Sequence, residues 1–455
     1  MTAVNVALPT LAREFSAGPT TVVWVVTGYL LSLAVFIPIS GWVGDRFGTK
    51  RTFMFALTVF TTSSLLCALS WSIESLVAFR VLQGVGGGML TPVGTAMMFR
   101  AFPPAERAAA SAVLAIPAVV APACGPVLGG YLVEYHSWHW IFLINIPIGV
   151  IGLIVAGIFL REERQPSPGK LDVPGFVLSG SGLALIMYSL AEAGTRGFGD
   201  SRVLATGISG LVLIAVFCAV ELRTAEPMID VKLLLGNKLF RAATLVQFMS
   251  FIGFAGALFL LPLLMQAEMG LTPLQSGLNT FPQALGVVIM AQPVSRIYKR
   301  VGPQRLMMFG MVGSTLITLA FLSIDLQTSQ WWIRGIMFVR GLMFGCLMVP
   351  MQTATFATVK PEDMGRASAV FSSFRQVAAG FGTALLATVL SNRLIHYDAV
   401  LFNPLTRDGA LLAFHDAFLA AAVLSALGIF AVLLIDDKEA APTMQRGAPT
   451  PIIEG

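Results

Sequence analysis

Three arginines inside long apolar stretches are the side chains best suited to chemistry: Arg80, Arg340 and Arg375. If these stretches cross a membrane, an ionised group within them usually faces a partner or a cavity and marks a binding site or ion pathway. Arg375 lies about nine residues into its stretch, which places it ~13 Å deep, near the middle of a bilayer. We expect it to line a central cavity, where it senses a nearby protonation or contacts an anionic substrate. A structural ion pair or a carbonyl-bonded arginine is the alternative.

Arg80 is followed by Gln83 and Gly84 at spacings that put all three on one helix face. The glycine permits a second helix to pack closely. Arg80 lies about one turn from the predicted outer end of its span, so a side chain that only reaches to water is the alternative. Arg340 is predicted near the outer end of its own span, where we expect it to brace an outer gate.

Nothing in the sequence favours an enzyme or a metal protein. It contains no HExxH, P-loop or GxSxG pattern. Its four cysteines are far apart in apolar stretches, and its four histidines lack carboxylate or thiolate neighbours at metal-ligand spacing. We therefore expect no catalytic residue, no metal and no cofactor.

The composition is that of a polytopic membrane protein. Hydrophobic residues make up 56% of the chain and charged residues only 12%, and the mean hydropathy is +0.80. The net charge of +5 is spread over many short loops, with no basic face for nucleic acid. Apolar runs predict fourteen membrane spans, all α-helical because lipid offers the backbone no hydrogen-bond partner. The first run is only about twelve residues long, so the first span is predicted to be truncated or half-length.

The distribution of basic residues predicts the topology. With Gly41–Arg51 inside, twenty Lys and Arg lie on the inner side, six lie outside and three lie within spans. This bias supports fourteen spans, a multi-pass protein of the inner (plasma) membrane and a cytoplasmic C-terminus.

Weak internal repeats predict two similar halves. FGTKR around Gly48 resembles VGPQR around Gly302, Gly84 matches Gly341, and the Ser111–Val113 triplet recurs at Ser368–Val370. The near-constant offset predicts two six-helix halves around a midplane substrate site, joined by two inserted helices. We expect an N-terminal half at 1–160, linkers with two inserted helices at 161–238, a C-terminal half at 239–436 and a disordered cytoplasmic tail at 437–455.

The stretch Gly41–Arg51 is predicted to be a tight cytoplasmic loop between two spans. Its composition alone is also compatible with a basic loop that only fixes topology. It resembles the signature loop of the major facilitator superfamily, with Thr49 where the family usually has Arg. The resemblance implies a gating role, in which Asp45 latches the cytoplasmic side through charge contacts. The residues that carry it are Gly41, Gly44, Asp45, Arg46, Gly48 and Arg51.

Further motifs resemble the fourteen-helix drug:proton antiporters of that superfamily. Arg80, Gln83 and Gly84 are similar to its R-x-x-Q-G signature. GPVLGG, with Gly125, Pro126, Gly129 and Gly130, resembles the core of its antiporter signature; a plain helix contact is the alternative. TAVNVALP at the start and Ser137–Gly149, with His139 in place of the usual Arg, resemble two other stretches of the family.

Polar and aromatic residues within spans are expected to line the cavity. They are Asn5, Trp24, Tyr29, Gln83, Gln247, Gln283, Gln352 and Gln376. Aromatics and amides suit lipophilic substrates better than sugars, and the resemblance adds drug-like cations. We expect small lipophilic substrates, protons and membrane lipid as partners, no nucleic acid, and a functional monomer.

Proton coupling needs an intramembrane carboxylate, and no predicted span contains one at depth. One hypothesis is that the native chain begins ~20 residues earlier and supplies the family's Asp there. The other is that an end-placed carboxylate such as Glu192 or Glu268 couples transport.

Three readings of function follow. The first is proton-coupled efflux of lipophilic compounds by alternating access. The second is a carrier of the same fold for a specific metabolite or organic anion, favoured by three intramembrane arginines. The third is an inactive, truncated relative.

Overall fold

The computed structural model describes residues 2–17, 19–164, 171–224 and 231–444, and these form helices and connections with no strand among them. Apolar helices are the expected solution, since each helix satisfies its own backbone hydrogen bonds in lipid. The first helices are α1 (Thr2–Glu14), α2 (Pro19–Phe47), α3 (Thr49–Ala68), α4 (Ile73–Ala101), α5 (Arg107–Tyr135), α6 (Trp140–Leu143) and α7 (Asn145–Phe159). An inserted pair follows, with α8 (Val173–Arg196) and α9 (Ser201–Glu221). The remaining helices are α10 (Val231–Gly236), α11 (Lys238–Ala267), α12 (Pro273–Thr280), α13 (Pro282–Val301), α14 (Pro303–Ala320), α15 (Gln330–Thr355), α16 (Met364–His396), α17 (Arg407–Val432) and α18 (Ala441–Met444).

The helix count agrees with the predicted number of spans. In the described chain, eleven helical segments are long and apolar enough to cross a membrane. The short α1, the helix α5 and the consecutive pair α12–α13 run beside them and bring the number to fourteen. The thirteen residues of α1 rise only ~20 Å, less than the ~30 Å of a bilayer core.

The two halves repeat one packing arrangement. In the N-terminal half α2 packs on α4, and in the C-terminal half α13 packs on α15. Gly84 lies at the first contact, where a Cβ would be 2.6 Å from the Cβ of Ser32. Gly341 lies at the second, where a Cβ would overlap the carbonyl oxygen of Gln283. The repeat offset found in the sequence therefore relates two glycines that permit close packing of the corresponding helix pair in each half.

The inserted pair lies against both halves through α8. Trp24 of α2 stacks on Tyr188 of α8, with ring centroids 6.0 Å apart. On the other side, the Thr388 hydroxyl of α16 donates to the carbonyl of Ala193, at 3.0 Å. The helix α9 packs on α8 and leaves most of its surface uncovered.

The tail differs from its prediction. Residues 437–444 are packed rather than disordered, because the buried Thr443 hydroxyl lies 2.8 Å from the hydroxyl of Tyr298 in α13. The rest of the predicted tail, 445–455, lies outside the described residues, as do 165–170 and 225–230 of the predicted linkers.

The predicted loop at Gly41–Arg51 is shorter than expected. The helix α2 continues to Phe47 and α3 begins at Thr49, so Gly48 alone separates them. Its φ of +101° is accessible to glycine but strained for other residues. A Cβ at this position would also overlap the carboxylate of Glu162. One glycine thus makes the whole turn between the two spans.

Gly48→Ala should destabilise the protein by about 1–3 kcal/mol, since a non-glycine residue is strained at this φ and the new Cβ displaces Glu162. The measurement is the Tm of the detergent-purified protein. Gly44→Ala is the matched control, because a Cβ there meets nothing closer than 3.9 Å. Equal Tm values for the two variants would contradict the conclusion that Gly48 forms the turn between α2 and α3.

Candidate functional site

The two halves are joined by hydrogen bonds at one end of the bundle, where α2 meets α3. We call this the basic end. The C-termini of α4 and α15 and the N-termini of α5 and α16 also lie there. Among the described residues, four hydrogen bonds cross between the halves at this end: Arg100 Nε to Pro361 O (3.0 Å), Arg107 Nη1 to Phe356 O (2.6 Å), Thr353 Oγ1 to Ser111 Oγ (3.2 Å) and Ser368 Oγ to Pro92 O (2.7 Å).

A buried ion pair lies at the centre of these contacts. Arg100 Nη2 donates to Asp45 Oδ1 at 2.7 Å, and each side chain is only 6% exposed. The same guanidinium reaches Pro361 of the C-terminal half. The Asp45 carboxylate also faces the first turn of α16, where a Cβ on Gly365 would be 3.2 Å from it. A helix N-terminus carries partial positive charge, so Asp45 attracts both its own half and the other.

Gly41 permits the backbone contact beside this pair. A Cβ at Gly41 would lie 2.7 Å from the carbonyl oxygen of Gly365. Any larger residue must therefore push α2 and α16 apart. Gly44, in the same motif, meets no such contact.

The remaining charged residues of the motif lie on the surface. Arg46 is exposed, and Arg51 pairs with Glu162 at 3.6 Å. Glu162 Oε1 also accepts from the backbone N–H of Lys50, at 3.2 Å. This carboxylate therefore caps α3 and ties the end of the N-terminal half to the turn at Gly48.

The C-terminal half repeats this cap with different residues. Gly302, with φ +87°, separates α13 from α14. Asp437 accepts from the backbone N–H of Gln304, at 2.8 Å. Sequence reasoning missed both carboxylates, although each follows the last span of its half and a glycine turn precedes each capped helix.

The structure brings Arg80, Gln83, Gly84 and Tyr29 together inside the N-terminal half. Arg80 is 3% exposed, and its Nε donates to the carbonyl of Val25 at 2.9 Å. Its Nη1 donates to the Gln83 amide oxygen, and its guanidinium lies 4.1 Å from the centroid of the Tyr29 ring. A carbonyl, an amide and an aromatic face thus surround the cation.

Arg375 lies on the face of α16 that meets the N-terminal half. Gly365 and Ser368 of this helix contact α2 and α4. Arg375 follows Ser368 by seven residues, which is two helical turns on the same face and ~10 Å further from the basic end. It is partly exposed. This position suits a group that faces the space between the halves.

Arg340 lies inside the C-terminal half. It follows the start of α15 by ten residues, or ~15 Å, which is deeper than the sequence suggested. Its Nη1 donates to Gln283 Oε1 at 2.9 Å and its Nη2 to the Phe254 carbonyl at 3.2 Å. These partners belong to α13 and α11 of the same half.

The other expected cavity residues are less closely grouped. Trp24 lies against α8, and the side chain of Asn5 in α1 lies outside the described residues. Gln247 and Gln352 are buried, and amide atoms of both have no hydrogen-bond partner in the described chain. Such atoms are available to water or to a ligand.

The antiporter motif lies within α5, which packs on α12, α13 and α15 of the C-terminal half. Gly125 is partly buried and Gly129 is buried. A Cβ at Gly130 would meet no atom within 4 Å, so close packing does not explain this glycine. The side chain of Pro126 lies outside the described residues.

The two end-placed carboxylates lie at the end opposite the basic end. Glu192 pairs with Arg196 one turn along α8, at 2.5 Å. Glu268 follows α11 and accepts from the N–H of Phe402 at 3.4 Å. Burial raises the pKa of the Glu268 carboxyl, while the Phe402 hydrogen bond and nearby Arg407 oppose that rise. No group of three or more His, Cys, Asp or Glu that could hold a metal was found among the described residues.

Two bundles of helices with the same packing, closed against each other at one end, define a membrane transporter of the major facilitator type. The family model of the Major Facilitator Superfamily matches residues 1–383, and the chain belongs to this superfamily. The predicted family and fold are confirmed.

The chain is similar to curated bacterial transporters over most of its length. It is 36% identical to the multidrug resistance protein B homolog of Mycobacterium tuberculosis (strain ATCC 25618 / H37Rv), over 88% of this chain and 75% of the relative. It is 33% identical to the putative multidrug resistance protein MdtD of Salmonella typhi, over 86% of this chain and 82% of the relative.

Two solved structures share the fold at low sequence identity. The human organic anion transporter MFSD10 (TETRAN) superposes with a TM-score of 0.62 at 18% identity, over 94% of this chain and 88% of that one. The proton:xylose symporter XylE, bound to 6-bromo-6-deoxy-D-glucose, gives 0.63 at 13% identity, over 94% and 90%. This likeness concerns the fold alone.

Asp45→Asn should weaken closure of the basic end, because it leaves Arg100 buried without its counter-charge, a loss of about 3–5 kcal/mol for a buried pair. The test uses a chain whose native cysteines are replaced and that carries one new cysteine, at Ser111. This cysteine should react faster with a membrane-impermeant thiol reagent when Asp45→Asn is also present than when Asp45 is kept. Arg46→Gln is the control, since Arg46 is exposed. Unchanged labelling in both variants would contradict a latch at Asp45.

Proposed function

We propose that the protein exports lipophilic, drug-like compounds across the cytoplasmic membrane, in exchange for protons, by alternating access. The observation that carries the proposal is the 33–36% identity, over more than four fifths of the chain, to relatives named as multidrug resistance proteins. The excess of basic residues at the basic end supports a cytoplasmic orientation for that end and for the C-terminus.

The contacts between the halves support alternating access. The hydrogen bonds and the Asp45–Arg100 pair hold the halves together at the basic end. In a transporter built from two repeats, rocking of one half against the other exposes a midplane site to each side in turn. In this proposal the structure corresponds to the state closed to the cytoplasm, and the Asp45 latch must break for substrate to enter.

Arg375 is the residue that we propose to face the substrate path. Its helix face meets the N-terminal half, and its charge makes no hydrogen bond or ion pair in the described chain. An arginine in this position can sense the protonation of a neighbouring group or contact the negative end of a substrate. We also propose that the domains have the predicted boundaries, with residues 437–444 packed on the C-terminal half, and that the protein acts as a monomer.

The second candidate is export of an organic anion or specific metabolite by the same motion. The observation that favours it is the set of arginines within membrane spans, Arg80, Arg340 and Arg375, with no carboxylate bonded to any of them in the described chain. Of the proposed coupling carboxylates, Glu268 contacts a connection within its own half, away from the path between the halves.

The proposed function is tested by efflux of a fluorescent lipophilic cation from cells that express the chain. We expect faster efflux than from cells that do not express the chain. This difference should be lost when a protonophore collapses the proton gradient. Competition separates the two candidates. If unlabelled lipophilic cations slow the efflux of the fluorescent cation, drug export is supported. If they leave this efflux unchanged and the cells extrude organic anions, the second candidate is supported.

Arg375→Ala should abolish efflux while the protein still reaches the membrane, because the substitution removes the only charge on that part of the α16 face. Efflux and surface expression are measured together. Arg393→Ala on the same helix is the matched control, since Arg393 belongs to a partly exposed pair with Asp416, and such pairs contribute little. Efflux by Arg375→Ala at the wild-type rate would contradict the role of Arg375.

A further inference from the structure

A small cavity with both polar and apolar walls lies inside the C-terminal half. It is bounded by α11, α14, α15 and α17, which pack on one another within this half. The cavity has a volume of about 20 Å³. This is room for a single species of the size of a water molecule, so an organic substrate does not fit.

Arg340 supplies the charge of this cavity. The residue is 3% exposed and lines the wall. Two of its donors bond to Gln283 and to the Phe254 carbonyl. A guanidinium has five N–H donors, so three have no acceptor in the described chain. The Phe254 and Phe321 rings lie 5.2 and 5.6 Å from the guanidinium carbon, and they attract the cation without neutralising it.

The helices around Arg340 provide no counter-charge. The sequences of α11, α13, α14, α15 and α16 contain no Asp or Glu. The two carboxylates of α17 are Asp408, which is exposed, and Asp416, which pairs with Arg393. Ser425, the residue of α17 at the cavity, lies nine residues from Asp416, or ~13 Å along the helix. A buried cation without a nearby anion is costly.

Hydroxyl groups form part of the wall, beside apolar side chains such as Met311 and Phe344. The Ser314 hydroxyl is buried and has no hydrogen-bond partner in the described chain. Ser250, Thr318 and Ser425 also line the cavity, and each donates to a carbonyl one turn earlier. A hydroxyl can redirect its hydrogen by rotation. The cavity therefore combines free guanidinium donors, one free hydroxyl and three that can turn inward.

We propose that this cavity is a binding site for a monatomic anion of the chloride class, held by Arg340 and Ser314. Size excludes carboxylates and phosphate, and charge favours a halide over water, because only the anion neutralises Arg340. The site lies within one half, so it does not rest on the proposed substrate or on the direction of transport. Its role is to hold α11, α14, α15 and α17 together while the half moves as a body.

The proposal is tested with the full-length protein in detergent, by measuring Tm in sodium chloride and in sodium gluconate at equal ionic strength. Chloride should raise Tm by about 2–4 °C over gluconate, with a saturable dependence on concentration, and bromide should act similarly. Equal Tm values in chloride and gluconate would overturn the proposal and indicate that water fills the cavity.

Two variants locate the effect. Arg340→Gln should remove the chloride-dependent rise, and Ser314→Ala should keep the rise but require at least about threefold more chloride. The Ser314 variant removes one oxygen atom and keeps the proposal testable if Arg340→Gln fails to fold. Arg375→Gln removes the other arginine within a membrane span of the C-terminal half. It is the control and should keep the full chloride-dependent rise in Tm. A rise that persists in Arg340→Gln, or that is lost in Arg375→Gln, would place the anion elsewhere.

Discussion

A charge buried among membrane helices must find its partners within the protein, and this constraint governs the positions of Arg80 and Asp45. Arg80 meets it with a carbonyl, an amide and an aromatic ring. Asp45 meets it with Arg100, which also reaches across to the other half. Because removing one member of a buried pair costs far more than the pair contributes, these charges fix how the helices can approach. The packing glycines Gly41, Gly84 and Gly341 then allow that approach.

Much of the architecture could be read from the sequence, since its signals are local. Apolar length and the backbone's need for internal hydrogen bonds specify helices, and the offset between Gly84 and Gly341 relates two real helix contacts. The grouping of Arg80 with Gln83 followed from helical periodicity. The sequence predicts a loop over Gly41–Arg51 because the stretch is polar and contains glycines, whereas in the structure only Gly48 leaves the helix.

The tertiary partners could not be read in the same way. In the sequence Arg100 is one basic residue among many, yet it forms the buried pair with Asp45, 55 positions away. Glu162 and Asp437 are equally ordinary in sequence and become helix caps only when the last span of each half returns to the turn. Gly130 shows the reverse case, where a motif glycine has no steric reason in the structure. Which face of a helix meets which neighbour is decided by packing between distant segments.

The inserted helix α8 touches α2 through Trp24 and α16 through Thr388. If the halves rock against each other as proposed, α8 cannot follow both of them, so one of these contacts must slide while the other is kept. The stacked rings can slide over one another, whereas the hydroxyl–carbonyl bond is directional. In the proposed motion the inserted pair therefore travels with the C-terminal half, and sliding occurs between α2 and α8. The proposed motion is therefore asymmetric, because α2 slides against α8 on the side of the bundle that carries the inserted pair.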